Sequence, residues 1–272
     1  MPEASLTAEQ RQRYARHLAL TEIGSAGQRR LLRSSVLIVG VGALGSPVAL
    51  YLAAAGVGTI GLADHDHVRL SNLQRQVIHS MAGLNRSKVD GAARTVGALN
   101  PDVKVDAIEA TVDEHNAMEL LQRYDVIVDG TDTFRARYLL SDAAYLLRKP
   151  LVHGSIFRIE GQVTVFVPGR GCYRCLYPEP PPAGAIEESE QVGVLAALPG
   201  IIGTIQAAET IKQITRTGDP LVNRVLLHDT MAMTFREVGY RRNPACPTCG
   251  DRPSILSLTD YHAVVGAEAE RR

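Results

Sequence analysis

Residues 39–76 read VGVGALGSPVALYLAAAGVGTIGLADHDHVRLSNLQRQ, and this stretch decides the fold. Just upstream, SSVLIVG is a short β-branched run closed by Gly40, the pattern of a buried parallel strand. Gly40, Gly42 and Gly45 then satisfy G-x-G-x-x-G. ALGSPVALYLAAAG follows as a helix with Gly56 at its stop, and GTIGLAD as a second strand ending in Asp64. Glycines between a strand and a helix let the backbone turn tightly and approach a phosphate, which the helix N-terminus favours. A carboxylate 19 residues beyond Gly45 can accept from a ribose hydroxyl. These features predict a nucleotide site without separating NAD from ATP.

Working outward, the alternation persists. VKVDAIEA and DVIVDG read as strands, and DEHNAMELLQRY and TFRARYLLSDAAYLLRK as helices, with a further helix over about 85–99. Strand alternating with helix predicts an α/β, Rossmann-like, doubly wound and largely parallel sheet. After Pro150 the order changes. LVHGSIF and GQVTVFV are consecutive strands joined by RIE, so the sheet becomes mixed in its C-terminal part. YPEPPPAGAIEESEQVG reads as an exposed crossing loop. The apolar stretch 194–218 reads as a buried helix, with Gly200 and Gly203 allowing close neighbours, and RVLLHDTMAMTFREVGY supplies one or two late strands. The N-terminal SLTAEQRQRYARHLAL predicts helix, with Ser or Thr as cap and a loose stripe of Leu6, Tyr14, Leu18 and Leu20. Three regions are expected: N-terminal helices over 1–30, the α/β unit with its metal site over 31–252, and a tail over 253–272.

Composition sets outer bounds. Lys plus Arg and Asp plus Glu are 29 each, so no net field draws the chain to nucleic acid or anionic lipid. No apolar run is long enough to span a bilayer, and the first 20 residues lack a signal-peptide core. A cytoplasmic protein is expected. The four cysteines form two Cys-x-x-Cys pairs, 172/175 and 246/249. Paired in this way, Cys172, Cys175, Cys246 and Cys249 suit a closed, tetrahedral structural Zn²⁺ better than a redox dithiol.

The residues after the second strand favour one nucleotide chemistry over the other. A dehydrogenase leaves its cofactor's pyrophosphate intact. Breaking the α–β bond of ATP requires cations for the charge on both products and a carboxylate for a metal ion. Arg75 and Lys88 follow the second strand, and Asp132 lies at the carboxyl end of the fourth, the edge where open α/β sheets bind ligands.

In order along the chain, GxGALGSP, DHDHVRLSNLQRQ, SK, DGTDT, GQVTVF, CYRC and CPTCG closely resemble the MoeB/ThiF family of ubiquitin-activating-enzyme-like adenylyltransferases. The match runs from about residue 13 to 249. The resemblance implies Mg²⁺- and ATP-dependent adenylation of the C-terminal glycine of a small ubiquitin-fold sulfur carrier ending in Gly-Gly. Such carriers serve molybdopterin, thiamine, cysteine and tRNA-thiolation pathways. It also implies a nucleotide-binding set of Gly40, Gly42, Ala43, Gly45, Asp64, Asp66, Ser71, Asn72, Leu73, Gln74, Arg75, Lys88, Asp132 and Thr133. Within it, Gly42 and Ala43 lie against the phosphates and Asp64 holds the ribose. Ser71, Asn72, Arg75 and Lys88 reach the triphosphate, and Asp132 positions Mg²⁺ or the reacting groups. Arg16 would reach the active site of the other subunit of a homodimer.

Two departures stand out. Ala43 occupies a position where relatives often carry Gly, which is compatible with a negative φ. Ser189 falls where many relatives carry a further Cys, so either a separate donor supplies the sulfur or Ser189 is a replacement for that Cys. GDRPSILSLTDYHAVVGAEAERR resembles the segment leading into a rhodanese-like domain in longer relatives. Two other readings stay open: an NAD(P)-dependent oxidoreductase, and a non-catalytic binder of a ubiquitin-like tail.

Overall fold

The structure, a computed structural model, describes residues 6–181, 193–258 and 261. Ser189, and all of the tail from residue 259 onward except Tyr261, lie outside the described residues. The elements in chain order are α1 (Ala8–Arg13), α2 (Ala15–Leu18), α3 (Gly24–Arg33), β1 (Ser35–Val39), α4 (Gly45–Ala55), β2 (Thr59–Ala63), α5 (Lys88–Leu99), β3 (Lys104–Ile108), α6 (Ala117–Gln122), β4 (Val126–Asp129), α7 (Phe134–Leu146), β5 (Leu151–Phe157), β6 (Glu160–Phe166), α8 (Tyr173–Leu176), α9 (Leu198–Thr215), β7 (Arg224–Asp229) and β8 (Thr234–Gly239).

One eight-stranded sheet runs β3-β2-β1-β4-β5-β6-β7-β8. Strands β1 to β5 pair in parallel, and β5 to β8 are antiparallel. Helices crossing from each parallel strand to the next cover both faces, so β1 beyond its first residue, Ser35, and β4 up to its last, Asp129, are apolar. One face carries Val36, Ile38, Ile60 and Val128 against α4, α5 and α9. The other carries Leu37, Val39 and Ile127 against α6 and α7. Because β2 lies on one side of β1 and β4 on the other, the chain reverses direction across the sheet between β1 and β4. Ligands of open α/β sheets bind at that crevice.

Most expected elements form, with informative shifts. Thr7, not Ser5, caps α1, in a reciprocal box with Gln10. The first helix is broken at Tyr14, whose buried ring lies under Gly56 at the end of α4. Gly56 has φ +82°, and a Cβ there would stand 2.5 Å from that ring. Leu6 and Tyr14 are buried, while Leu20 of the expected stripe is largely exposed. Gly203 of α9 meets Pro47 and the carbonyl of Leu44 closely enough to exclude any side chain. An added Cβ on Gly200 would meet nothing within 4 Å among the described residues. The late segment is two strands, and β8 forms a fully exposed edge. Among the described residues, no helix is long and apolar enough to cross a membrane.

Candidate active site

The turns after β1 and β4 meet in van der Waals contact at the switch point. A Cβ on Gly40 would lie 2.7 Å from the Gly130 carbonyl oxygen, and one on Gly130 would lie 2.6 Å from that of Gly40. Gly40 also has φ +88°, and its N–H donates to Ala63 at 2.8 Å. Gly45 admits no side chain, because its Cβ would fall 2.0 Å from the Gly40 carbonyl oxygen. Gly42 differs. Its Cβ would meet only the Gln76 side chain, at 3.4 Å. Ala43 does not have positive φ, so alanine is unstrained there. The N–H groups of Gly42, Ala43 and Leu44 donate no hydrogen bond among the described residues. They precede the first turn of α4, where backbone donors and the helix dipole suit an anion. The loop therefore fits a phosphate.

Asp64, at the end of β2, binds this loop directly: its Oδ2 accepts from Val41 N at 2.8 Å and its Oδ1 from Asp66 N at 2.9 Å. The polar segment beyond is tied to the same place. Lys88 is buried at the start of α5, and its Nζ donates to Asp66 Oδ2 at 2.8 Å. Burial opposes the charge of Asp66, but the bond and charge of Lys88, aided by His65 and Arg69, outweigh it and hold the carboxyl below its ordinary value. Asn72 anchors its short turn by accepting from Arg69 N, with Ser71 exposed and Leu73 half-buried beside it. Arg75 is half-buried and donates to the Ser71 carbonyl at 3.1 Å. Gln74 reaches the Val194 carbonyl at 3.3 Å. Gln76 is buried against Gly42, and His79 contacts the Val41 carbonyl through Nε2 at 2.9 Å. Gln76 and His79, absent from the expected set, are thus the props that fasten the 71–76 segment under the glycine loop.

Asp132 projects from the mouth of β4, exposed and with no hydrogen bond or ion pair among the described residues. Thr133 caps α7 by accepting from Ala136 N. Beneath them lies a pair that the sequence reading missed. Asp129 and His153 are fully buried, with His153 Nδ1 at 2.7 Å from Asp129 Oδ2. Burial pushes the imidazole below its ordinary value despite the carboxylate beside it. Burial likewise opposes the charge of Asp129, but the His153 bond, with Arg137 and Thr131, holds its carboxyl low. A neutral imidazole thus donates to an ionised carboxylate. Charged and polar residues inside the apolar runs VIVDG and LVHGSIF were the available signal.

Arg16 is exposed on α2 and makes no hydrogen bond or ion pair among the described residues. Tyr14 and Asn100 fix that region to the C-terminal end of α4, through Asn100 bonds to Tyr14 Oη (2.9 Å) and the Ala53 carbonyl (2.7 Å). The glycine loop lies at the other end of α4, about 16 Å away at 1.5 Å per residue. Arg16 does not join the other candidate residues within one chain.

The cysteines do converge. Cys172 caps α8 and Cys175 lies within it, Cys246 and Cys249 follow β8, and all four sulfurs lie within 4.8 Å of one another. Cys172 and Cys246 are 3.5 Å apart, and Cys175 and Cys249 3.2 Å. Zn–S bonds of about 2.3 Å at tetrahedral angles call for sulfurs roughly 3.8 Å apart, so this cage fits zinc. Hydrogen bonds with Cys172 and Cys249 pull the Cys246 thiol far down, and bonds with Cys246 and Cys249 push Cys172 far up. Thiol protons here would compete with a cation, so binding it releases them. A buried ion pair braces the cage: Arg174, between the first cysteines, binds Asp142 of α7 through Nε and Nη2. Thr248 and Tyr261 donate to the same carboxylate.

Comparison with known proteins follows the same lines. Residues 14–248 match the ThiF family. The "Sulfur carrier protein adenylyltransferase" of Thermus thermophilus is 45% identical over 266 residues, covering 96% of this chain and 98% of that protein. The "SAMP-activating enzyme E1" of Haloferax volcanii is 48% identical over 247 residues, covering 91% and 92%. The "Adenylyltransferase and sulfurtransferase MOCS3-1" of Zea mays is 46% identical, but the chain spans only 56% of its length. Among solved structures, that of E. coli MccB superposes with a TM-score of 0.79 at 22% identity, over 93% of this chain and 75% of that one, a likeness of fold. The glycine loop, the segment fastened beneath it and the four-sulfur cage thus come with a family match over most of the chain: it belongs to the ThiF family.

Proposed function

We propose that this chain uses ATP to adenylate the C-terminal glycine of a small ubiquitin-fold sulfur carrier ending in Gly-Gly, releasing pyrophosphate. The carrying observation is the contact of the Gly40 and Gly130 turns, which sets an anion-ready loop beside an Asp132 that has no partner among the described residues. Sequence relatives named as adenylyltransferases of sulfur carriers support the same reading.

In this scheme the triphosphate lies along the free N–H groups of Gly42, Ala43 and Leu44, with the ribose toward Asp64. The carrier carboxylate, ionised at neutral pH, attacks the α-phosphorus and the α–β bond breaks. Catalysis is then alignment and charge stabilisation more than proton transfer. Lys88, held on Asp66, keeps two N–H donors for phosphate oxygens, and the Arg75 guanidinium can swing from the Ser71 carbonyl to the departing pyrophosphate. Asp132, free to accept, fits a Mg²⁺ ion that would neutralise phosphate charge when bound. Arg16 lies a helix length from its own loop, so it serves the partner subunit of a homodimer. Zn²⁺ on the four cysteines is structural, and a separate donor supplies sulfur. The protein acts in the cytoplasm, with no membrane or nucleic-acid partner. An oxidoreductase would leave Arg75, Lys88 and Asp132 without a task.

The test is exchange of labelled pyrophosphate into ATP with Mg²⁺ and a Gly-Gly carrier. The wild-type chain exchanges, while Arg75→Ala and Asp132→Ala do not. Absence of exchange with sulfur carriers of every pathway named above, alongside tight NAD binding, contradicts the reading. Carrier binding without exchange points to a non-catalytic binder.

A further inference from the structure

We propose that His153 is a positioning residue for the reaction, acting through Asp129 to aim Asp132. The inference rests on the adenylation reading and deepens it. Asp129 is the last residue of β4 and fully buried. Each of its oxygens has a task. Oδ2 accepts from His153 at 2.7 Å, and Oδ1 accepts from Thr131 N (2.9 Å) and Thr131 Oγ1 (2.6 Å). Its carbonyl accepts from Gln206 Nε2 of α9 at 2.8 Å, through space left by the missing side chain of Gly154.

A carboxylate bonded to the amide two residues ahead fixes the intervening peptide. The peptide fixed here is Gly130–Thr131, whose other side is closed by the Gly40 carbonyl oxygen 2.6 Å from where a Gly130 Cβ would stand. Asp132 is the next residue, so its backbone direction follows from the Asp129 rotamer. His153 sets that rotamer. Its ring is itself fixed, edge-on to Tyr173 at 5.2 Å and tilted against Phe166 at 6.1 Å. Without its N–H, Oδ2 is a buried charge lacking its main partner. The carboxylate then turns away and releases Thr131, and Asp132 loses its aim. A misplacement of about 1 Å costs on the order of 10²-fold in rate.

The experiment compares His153→Asn and His153→Leu in pyrophosphate exchange, beside the wild type and Asp132→Ala, with melting temperature and bound zinc checking the fold. The Asn amide can donate from near the Nδ1 position, so His153→Asn retains most of kcat. His153→Leu loses on the order of 10²-fold in kcat, with a much smaller change in the KM for ATP, because the Gly40 N–Ala63 and Val41 N–Asp64 bonds that hold the glycine loop do not pass through Asp129. Thr131→Val removes one bond to Oδ1 at a half-buried position. It shows the same split more weakly, and it decides the matter if the Leu variant does not fold. A folded Leu variant with wild-type kcat overturns the inference, as does an Asn variant as slow as the Leu variant. If Leu unfolds, an unaffected Thr131→Val does so too. A wild-type chain without exchange removes the adenylation reading and this inference together. Loss in Asp132→Ala with full activity in His153→Leu removes this inference alone.

Discussion

Substituting alanine at Gly45 and at Gly42 should separate what the glycine loop does for the fold from what it does for the nucleotide. At Gly45 the new Cβ would sit 2.0 Å from the Gly40 carbonyl oxygen, against 3.4 Å for ordinary contact. The obstacle is backbone, and it is pinned by the Gly40 N–H bond to Ala63 and by the facing Gly130 turn. Overpacking of this kind costs about 1–3 kcal/mol, and the rigid obstacle places it near the top of that range. Alanine's better helix propensity returns at most about 1 kcal/mol in the first turn of α4. A net loss of about 2 kcal/mol lowers Tm by about 4–8 °C in a chain of this size. At Gly42 the φ is not positive and the Cβ would merely touch Gln76, so the free protein keeps its Tm. The methyl instead narrows the approach of the phosphates. Ligand at a hundredfold its Kd adds about 2.7 kcal/mol, which is about 5–10 °C in the wild type. Gly42→Ala should lose most of that rise. Differential scanning calorimetry with and without MgATP reads both effects. A Gly45→Ala protein that melts like wild type refutes the packing argument. A Gly42→Ala protein with the full ATP-dependent rise refutes the phosphate assignment.

Cys246→Ser should abolish bound zinc, measured by elemental analysis, and lower Tm in the nucleotide-free protein, because the cage ties α7 and α8 to the segment after β8. His79 contributes a pH dependence. Burial sets its folded pKa below the ordinary value, with the Val41 carbonyl bond only partly opposing this. The unfolded chain therefore takes the proton first, and the stability is full above about pH 6.5 and lost as pH falls below it. Urea midpoints at pH 7.5 and 5.5, set against those of His79→Gln, should show a smaller drop in the variant. Mixing Arg16→Ala with Asp132→Ala subunits should restore part of the exchange activity, since one site in the mixed dimer is intact. No recovery after verified subunit exchange counts against action in trans.

Much of the architecture was legible because burial and turn chemistry leave local marks. The VLIV core of SSVLIVG and the VIV core of DVIVDG are apolar because helices cover both faces of their sheet, and Gly40 and Gly56 do sit at positive φ. The cysteine cage was legible because Cys-x-x-Cys spacing is dictated by metal geometry. What stayed hidden depends on contacts between distant segments. Gly200 and Gly203 look alike in sequence, yet among the described residues Gly203 meets a neighbouring helix and Gly200 does not. Asp129 and His153 are 24 residues apart, and the reading settled on the exposed Asp132 rather than the buried acid that shapes its turn. Gln76 and His79 lie within or beside a stretch read for phosphate contacts, but they brace the loop from below.

The central claim is that this site transfers the α-phosphoryl group of ATP to a carrier's terminal carboxylate. The direct measurement supplies ATP labelled at the α-phosphate, Mg²⁺ and a Gly-Gly carrier, then follows the label. The account predicts label on the carrier as an acid-stable, amine-labile adenylate, with unlabelled pyrophosphate released in equal amount. Label appearing in ADP with release of inorganic phosphate, and none on the carrier, contradicts it.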